Sequence, residues 1–276
     1  MAIITFPQLL FNWGYFGLLM LKFKEYTFML AIICSSTANA GWSRISNDVI
    51  ELKGDIEDDS YNQYLVVSNG GYRKILLHSE GGQPAIALMI AEDIYKQKPD
   101  IEVQGYCLSA CANYLALAGK SLHMPCGSIL GWHGSPFAVT DDQLRNDHKL
   151  QGFPREFTEN YIEKWHAASR SRERAFFEKI GVDHRLITDS VLIPRSEFPM
   201  RPQITSYTFN PVTGDVSMSI SREEAPLWIP TKQKLKSLGV PTANFCGRYD
   251  RVAIKNAIAK NGYIFKYTSS DNVSKK

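Results

Sequence analysis

The sequence predicts an α/β fold with a mostly parallel sheet. Short apolar runs recur along the chain: Val49–Lys53, Lys74–His78, Ile101–Gln104, Ser121–Met124 and Ile129–Trp132. Stretches with helical apolar spacing lie between them, and Gly- or Ser-containing turns mark the joins. Strands and helices in this βαβα order pack as a parallel sheet covered by helices. The 276 residues suffice for one large domain or two small ones.

Each element has a local reason. Asp58 and Asp59 are placed to cap a helix running through Tyr64 and Val67. Ser79-Glu80-Gly81-Gly82 is a turn, and Pro84 suits the first turn of the next helix. That helix extends to about Tyr95, with Ile86, Leu88, Met89, Ile90 and Ile94 as its apolar face. Ser109 to Leu117 reads as a buried helix, with Gly119 as its C′ residue. Beyond His133 the chain turns helical, with Phe157, Tyr161, Trp165, Ala168, Phe176 and Phe177 at roughly helical spacing between Glu156 and Lys179. Asp183 caps a second, short helix. A hairpin is expected from Ile204 to Ile220, turning at Asn210–Asp215. Thr231 caps a last helix that stops at Gly239, and the polar tail Ser269–Lys276 is expected to fray.

The first 40 residues differ from the rest, with only three charged side chains: Lys22, Lys24 and Glu25. The apolar run Tyr26–Cys34 follows, then small residues ending at Ala38-Asn39-Ala40. This basic, apolar, small-x-small order is that of a signal peptide, with cleavage expected after Ala40 and an exported product, periplasmic or secreted. The basic residues fall late for a start at Met1, and Met20 would place them at a normal distance. The alternative is an uncleaved anchor that ties the protein to the membrane, although Phe6–Leu21 is shorter than the roughly 20 residues a spanning helix needs. Ile33 before Cys34 disfavours a lipoprotein signal. The net charge of +3 is too small to argue for nucleic acid as a partner. After cleavage four cysteines remain, Cys107, Cys111, Cys126 and Cys246, which allows two disulfides in three connectivities. At least one disulfide is expected among them, with Cys126 the nearest partner in sequence for the pair at 107 and 111. No paired metal-ligand spacing is present, so no metal is expected, and the serine-centred reading below implies no organic cofactor.

Gly105-Tyr-Cys-Leu-Ser109-Ala-Cys-Ala carries the most chemistry. A strand meets a tight turn, and a serine opens an apolar helix. The first N–H groups of a helix lack internal partners and favour negative charge beside them. A serine there is a candidate nucleophile, and the following N–H, on Ala110, a candidate oxyanion donor. The same placement also suits an ordinary N-cap. Gly81-Gly82 is either a tight βα turn or a second donor. His133, at a strand end between Trp132 and Gly134, is the candidate base.

Taken in order, these strings resemble the proteolytic subunit of the Clp protease family, over Ile50 to Pro136. The resemblance is carried by Ile50-Glu-Leu-Lys-Gly-Asp-Ile-Glu-Asp, Leu76-Leu-His-Ser-Glu-Gly-Gly82, Gly105-Tyr-Cys-Leu-Ser109, Leu117-Ala-Gly119, Met124-Pro125 and Trp132-His133. The Cys-x-Ser-Ala-Cys string is similar to exported Clp-like proteins. The resemblance implies the stacked β-α units of the Clp and crotonase superfamily, followed by a helical segment and a small hairpin. It divides the chain into an N-terminal segment 1–40, a Clp-like domain 41–190 and an extension 191–276. It implies Ser109 as nucleophile, His133 as base, and Ala110 with the Gly81-Gly82 turn as the oxyanion hole. Glu80 stands where the family has proline.

For the carboxylate that orients the base, Asp189 is placed first, with Glu223 and Glu224 the other candidates and Asp183 a cap. By this comparison about 35 residues between Ser190 and Glu224 are inserted. The implied function is a serine hydrolase acting on peptide or protein substrates. Two alternatives are a non-catalytic Clp-like scaffold of the cell envelope and a crotonase-type acyl-CoA enzyme, which export disfavours. Clp subunits associate through a long helix placed like Glu156–Lys179, so homo-oligomers are implied too; such a helix can equally pack on its own core.

Overall fold

The computed structural model describes residues 41–150, 152–197, 205–209, 216–220, 226–246, 251–260 and 267–271. The expected signal peptide or anchor, the hairpin turn at 210–215, and Glu223 and Glu224 lie outside them.

The chain enters the sheet with β1 (Gly41–Ser46) and returns antiparallel as β2 (Val49–Lys53). Then α1 (Ser60–Ser68), β3 (Lys74–Ser79), α2 (Pro84–Gln97) and β4 (Asp100–Leu108) follow in βαβ order. A one-turn helix α3 (Ala110–Asn113) and a 3₁₀ turn (Leu115–Leu117) lead to β5 (Ser121–Met124) and β6 (Ile129–Gly131). The sheet has seven strands among the described residues, ordered β1-β2-β3-β4-β5-β10, with β6 beside β4. Strand β10 is Thr242–Phe245. All pairings except β1–β2 are parallel, as the alternating order predicts.

Ile50, Leu52, Ile75, Leu77, Ile101 and Val103 are fully buried between the helices. Each contributes roughly 1.5–3 kcal/mol relative to exposure. On α2 the buried face is Ala87, Leu88, Ile90, Ala91 and Ile94, close to the expected stripe.

Strand β4 is longer than its apolar core because Gly105, at φ +86°, lets it bend and continue to Leu108. Its first half pairs with β5 and its last three residues pair with β6. Gly119 is not the left-handed cap expected of it. A Cβ there would lie 2.6 Å from the Pro99 carbonyl, so glycine is needed for close packing.

The helical region beyond His133 opens with α4 (Asp141–Leu150), ahead of the helix expected from Glu156. The long helix runs as α5 (Arg155–Tyr161), a π-turn (Ile162–His166) and α6 (Ala167–Ile180). Asp183 caps α7 (Arg185–Glu197), its carboxylate accepting from the Arg185 N–H at 2.8 Å. The expected boundary between 190 and 191 falls inside this helix. The described residues fall within one compact unit.

The hairpin is present as β7 (Thr205–Phe209) and β8 (Val216–Ile220). Strand β9 (Leu227–Trp228) precedes α8 (Lys232–Ser237), which Thr231 caps through the Lys234 N–H. This is not the last helix, since α9 (Arg251–Lys260) follows β10. Nor does the whole tail fray. Strand β11 (Tyr267–Thr268) pairs with β9, and the Asp271 carboxylate accepts from Thr231 Oγ1 at 2.6 Å.

Candidate functional site

Ser109 occupies the junction of β4 and α3 at φ +54°, ψ −126°. For a residue with a Cβ this is sparsely populated backbone, costing about 1–3 kcal/mol unless the surroundings enforce it. A sharp strand-to-helix turn of this kind lifts a side chain out of the sheet. The Ser109 N–H donates to the Gly131 carbonyl at 3.0 Å, and the Asn113 N–H donates to the Ser109 carbonyl at 2.7 Å. The helix expected to Leu117 is therefore one turn followed by a 3₁₀ turn. Its dipole is correspondingly small, and the available feature is the free N–H of Ala110.

Of the two glycines that follow β3, Gly81 meets this elbow. Gly81 has φ +105°, and a Cβ on it would lie 2.7 Å from the Leu108 carbonyl and 2.8 Å from Ser109 Cβ. Gly82, at φ +131°, packs as closely on Ile56. Only glycine permits both the conformation and the approach. The Gly81 N–H is engaged, donating to Ser79 Oγ at 3.1 Å. No hydrogen bond is made by the N–H groups of Gly82 and Ala110 among the described residues.

His133 follows β6 and is bracketed by backbone anchors. On one side Trp132 and Trp228 exchange backbone hydrogen bonds of 2.9 and 2.6 Å. On the other, Asn113 Nδ2 donates to the Gly134 carbonyl at 2.8 Å. Gly134 has φ +101°, and a Cβ there would strike Val191. Because Leu108 pairs with Gly131, the His133 backbone leaves β6 beside the Ser109 turn. His133 is exposed as a residue, yet the protein around its imidazole displaces enough water to hold its pKa below the ordinary histidine value. No hydrogen bond joins Ser109 Oγ to His133. Nor does Asp189 meet the imidazole: its carboxylate pairs with Lys234 Nζ at 3.0 Å.

The four cysteines form two disulfides, Cys107–Cys111 and Cys126–Cys246, with Cα separations of 5.4 and 4.9 Å. Both separations lie in the normal range. Cys126, just after β5, thus bonds to Cys246 at the end of the neighbouring strand β10, and the cysteines flanking Ser109 bond to each other. Such bonds are compatible with an exported protein. No helix among the described residues is long and apolar enough to cross a membrane.

A buried polar network beneath the site gave no sequence signal. Tyr114 Oη donates to Glu173 at 2.6 Å and lies 3.1 Å from Ser135 Oγ. The other carboxylate oxygen of Glu173 lies 3.1 Å from His184 Nε2. Burial and the Glu173 charge push the Tyr114 phenol well above its usual range, so it stays a donor. Tyr114 and Ser135 directly follow Asn113 and Gly134, the pair that anchors the loop after His133. Neither a search of protein-family models nor one of curated proteins finds a match to this chain.

Proposed function

We propose that this protein is a Clp-like serine hydrolase, acting on peptide or protein substrates outside the cytoplasm. The reading rests chiefly on Ser109, a non-glycine residue at positive φ on a strand-to-helix elbow. The hydrogen bonds from Ser109 and Asn113 to Gly131 and Gly134 support it, since they tie the His133 loop to the same turn. In this reaction Ser109 Oγ attacks the substrate carbonyl while neutral His133 takes its proton. The N–H groups of Ala110 and Gly82 carry the oxyanion. Gly81 serves as the close-packing residue that lets the two segments meet. His133 returns the proton to the leaving amine, and water then hydrolyses the Ser109 ester. The signal-like first 40 residues and the two disulfides support export.

A scaffold reading is favoured by two observations: Ser109 and His133 share no hydrogen bond, and Asp189 is occupied by Lys234. Catalytic contacts are often long before substrate binds, so reactivity discriminates. A fluorophosphonate probe should label wild-type protein at Ser109, and Ser109→Ala should abolish labelling in a folded chain. Folded wild type that never labels and cleaves no peptide or ester would establish the scaffold.

A further inference from the structure

We propose that the Cys107–Cys111 disulfide is a positioning device for Ser109, holding the nucleophile turn in its reactive shape. The inference rests on the serine-hydrolase reading above and adds the condition under which that site works. The two cysteines stand two residues before and two after Ser109, and their Cα atoms are 5.4 Å apart. Five residues in extended conformation would separate those Cα atoms by roughly 13 Å. The bond therefore enforces the reversal that puts Ser109 at φ +54°, ψ −126°. Besides the disulfide, the turn is held by the Ser109 and Asn113 backbone hydrogen bonds and by the packing of Gly81. Helix α3 is a single turn, and the Ser109 side chain makes no capping hydrogen bond.

Cys107 also stands opposite Ser79, whose Oγ accepts from the Gly81 N–H. The disulfide thus fixes the elbow and the strand position that orders the glycine turn packed on it. Both cysteines are fully buried.

The two disulfides differ in what they can do. Cys126–Cys246 closes 120 residues of chain, whereas Cys107–Cys111 spans four. Cross-linking so short a loop removes far less entropy from the unfolded chain. The effect of the short bridge is therefore concentrated in the native turn. A dithiol reductant would convert it to two thiols by exchange: the S–S bond breaks, two S–H groups form, and the dithiol becomes a cyclic disulfide. The turn would then relax toward an ordinary helix start, and the site would work only in oxidising surroundings.

The test compares the double variant Cys107→Ala/Cys111→Ala with Cys126→Ala/Cys246→Ala. Each is followed by thermal unfolding, fluorophosphonate labelling and amide hydrogen exchange over Leu108–Asn113. The first variant should stay folded, exchange faster across the turn, and label about 100-fold more slowly. The loss should fall on the maximal labelling rate, with the half-saturating probe concentration unchanged. The second should melt earlier yet label at the wild-type rate where both are folded. A folded first variant labelling like wild type would overturn the proposal.

If wild type itself never labels, the hydrolase reading fails. Exchange then decides, and unchanged protection over Ser109–Asn113 in the variant overturns the positioning role. Should the variant not fold, wild type is titrated with dithiothreitol while circular dichroism confirms retained structure. Labelling lost in step with reduction of Cys107–Cys111, scored by alkylating quenched aliquots, and restored when the unalkylated protein is reoxidised, supports the proposal. Labelling that persists with this bridge reduced rejects it.

Discussion

Asn113 Nδ2 donates to the Gly134 carbonyl at 2.8 Å, so the one-turn helix that follows Ser109 also holds the loop that carries His133. A nucleophile and base borne by different strands need such coupling, because a displacement near 1 Å can cost two orders of magnitude in rate. Here both ends of the loop return to the Ser109 turn, through Gly131 and Gly134.

Asn113→Ala should weaken both stability and reactivity. It leaves the Gly134 carbonyl without its donor in a buried setting, a loss of about 1–3 kcal/mol. Probe labelling should fall about 10-fold through loosened placement of His133, on the order of 1.4 kcal/mol in barrier. Urea unfolding and labelling kinetics on one preparation check both; unchanged labelling in a destabilised protein would show that the loop is held by other means.

Gly81→Ala tests the contact between the glycine turn and the elbow. The added methyl group would meet backbone at 2.7 Å and Ser109 Cβ at 2.8 Å, at a backbone angle unsuited to alanine. About 2–4 kcal/mol of destabilisation is expected from overpacking and strain together. Gly70→Ala is the matched control, since Gly70 also has positive φ but nothing within 4 Å of the added methyl. It should lose only about 1 kcal/mol and label normally.

Much of the sheet was legible because its strands are short apolar runs bounded by turn residues. Helix α2 was legible from its apolar face and Pro84. Strand β1 was missed although Asn47-Asp48 separates two alternating segments. Strand β10 was missed because only Phe245 of its four residues is buried, so no apolar run marks it. Of the candidate site residues, Ser109, Gly81, Gly82 and His133 could be named from local pattern. Asp189 was chosen by its distance along the chain, and such spacing carries no information about Lys234, which lies on another helix. The pairing of Cys107 with Cys111 was equally invisible, since it depends on the reversal at Ser109.

Glu80 precedes Gly81 and adds negative charge near the position where the proposed reaction would develop an oxyanion. Its field, with that of Asp55, helps raise the Tyr106 phenol, whose larger cause is burial. Removing a nearby like charge across partly solvated protein is worth on the order of 1 kcal/mol. Glu80→Gln should therefore speed labelling about 5-fold, and the gain should shrink in high salt. A slower variant would mean that Glu80 assists the reaction, for instance by contacting substrate.

The pH dependence follows from the solvation of His133. Loss of water around the imidazole disfavours its charged form, so its folded pKa lies below the ordinary 6.5. Only the neutral ring can accept the Ser109 proton, so labelling should hold down through pH 6.5 and fall below the folded pKa, tenfold per unit. The sign for stability is the same. Between the ordinary and the folded pKa the unfolded chain binds more protons at this site. The associated stability is thus present above 6.5 and is lost as pH falls through the folded value. His133→Gln removes the titrating group from both processes. It should slow labelling at pH 7.5 by roughly 10²–10⁴-fold and abolish the acidic limb of the remaining rate. An acidic limb centred above pH 6.5 in wild type, or one that survives in His133→Gln, would assign the controlling proton to another group and remove His133 as the base.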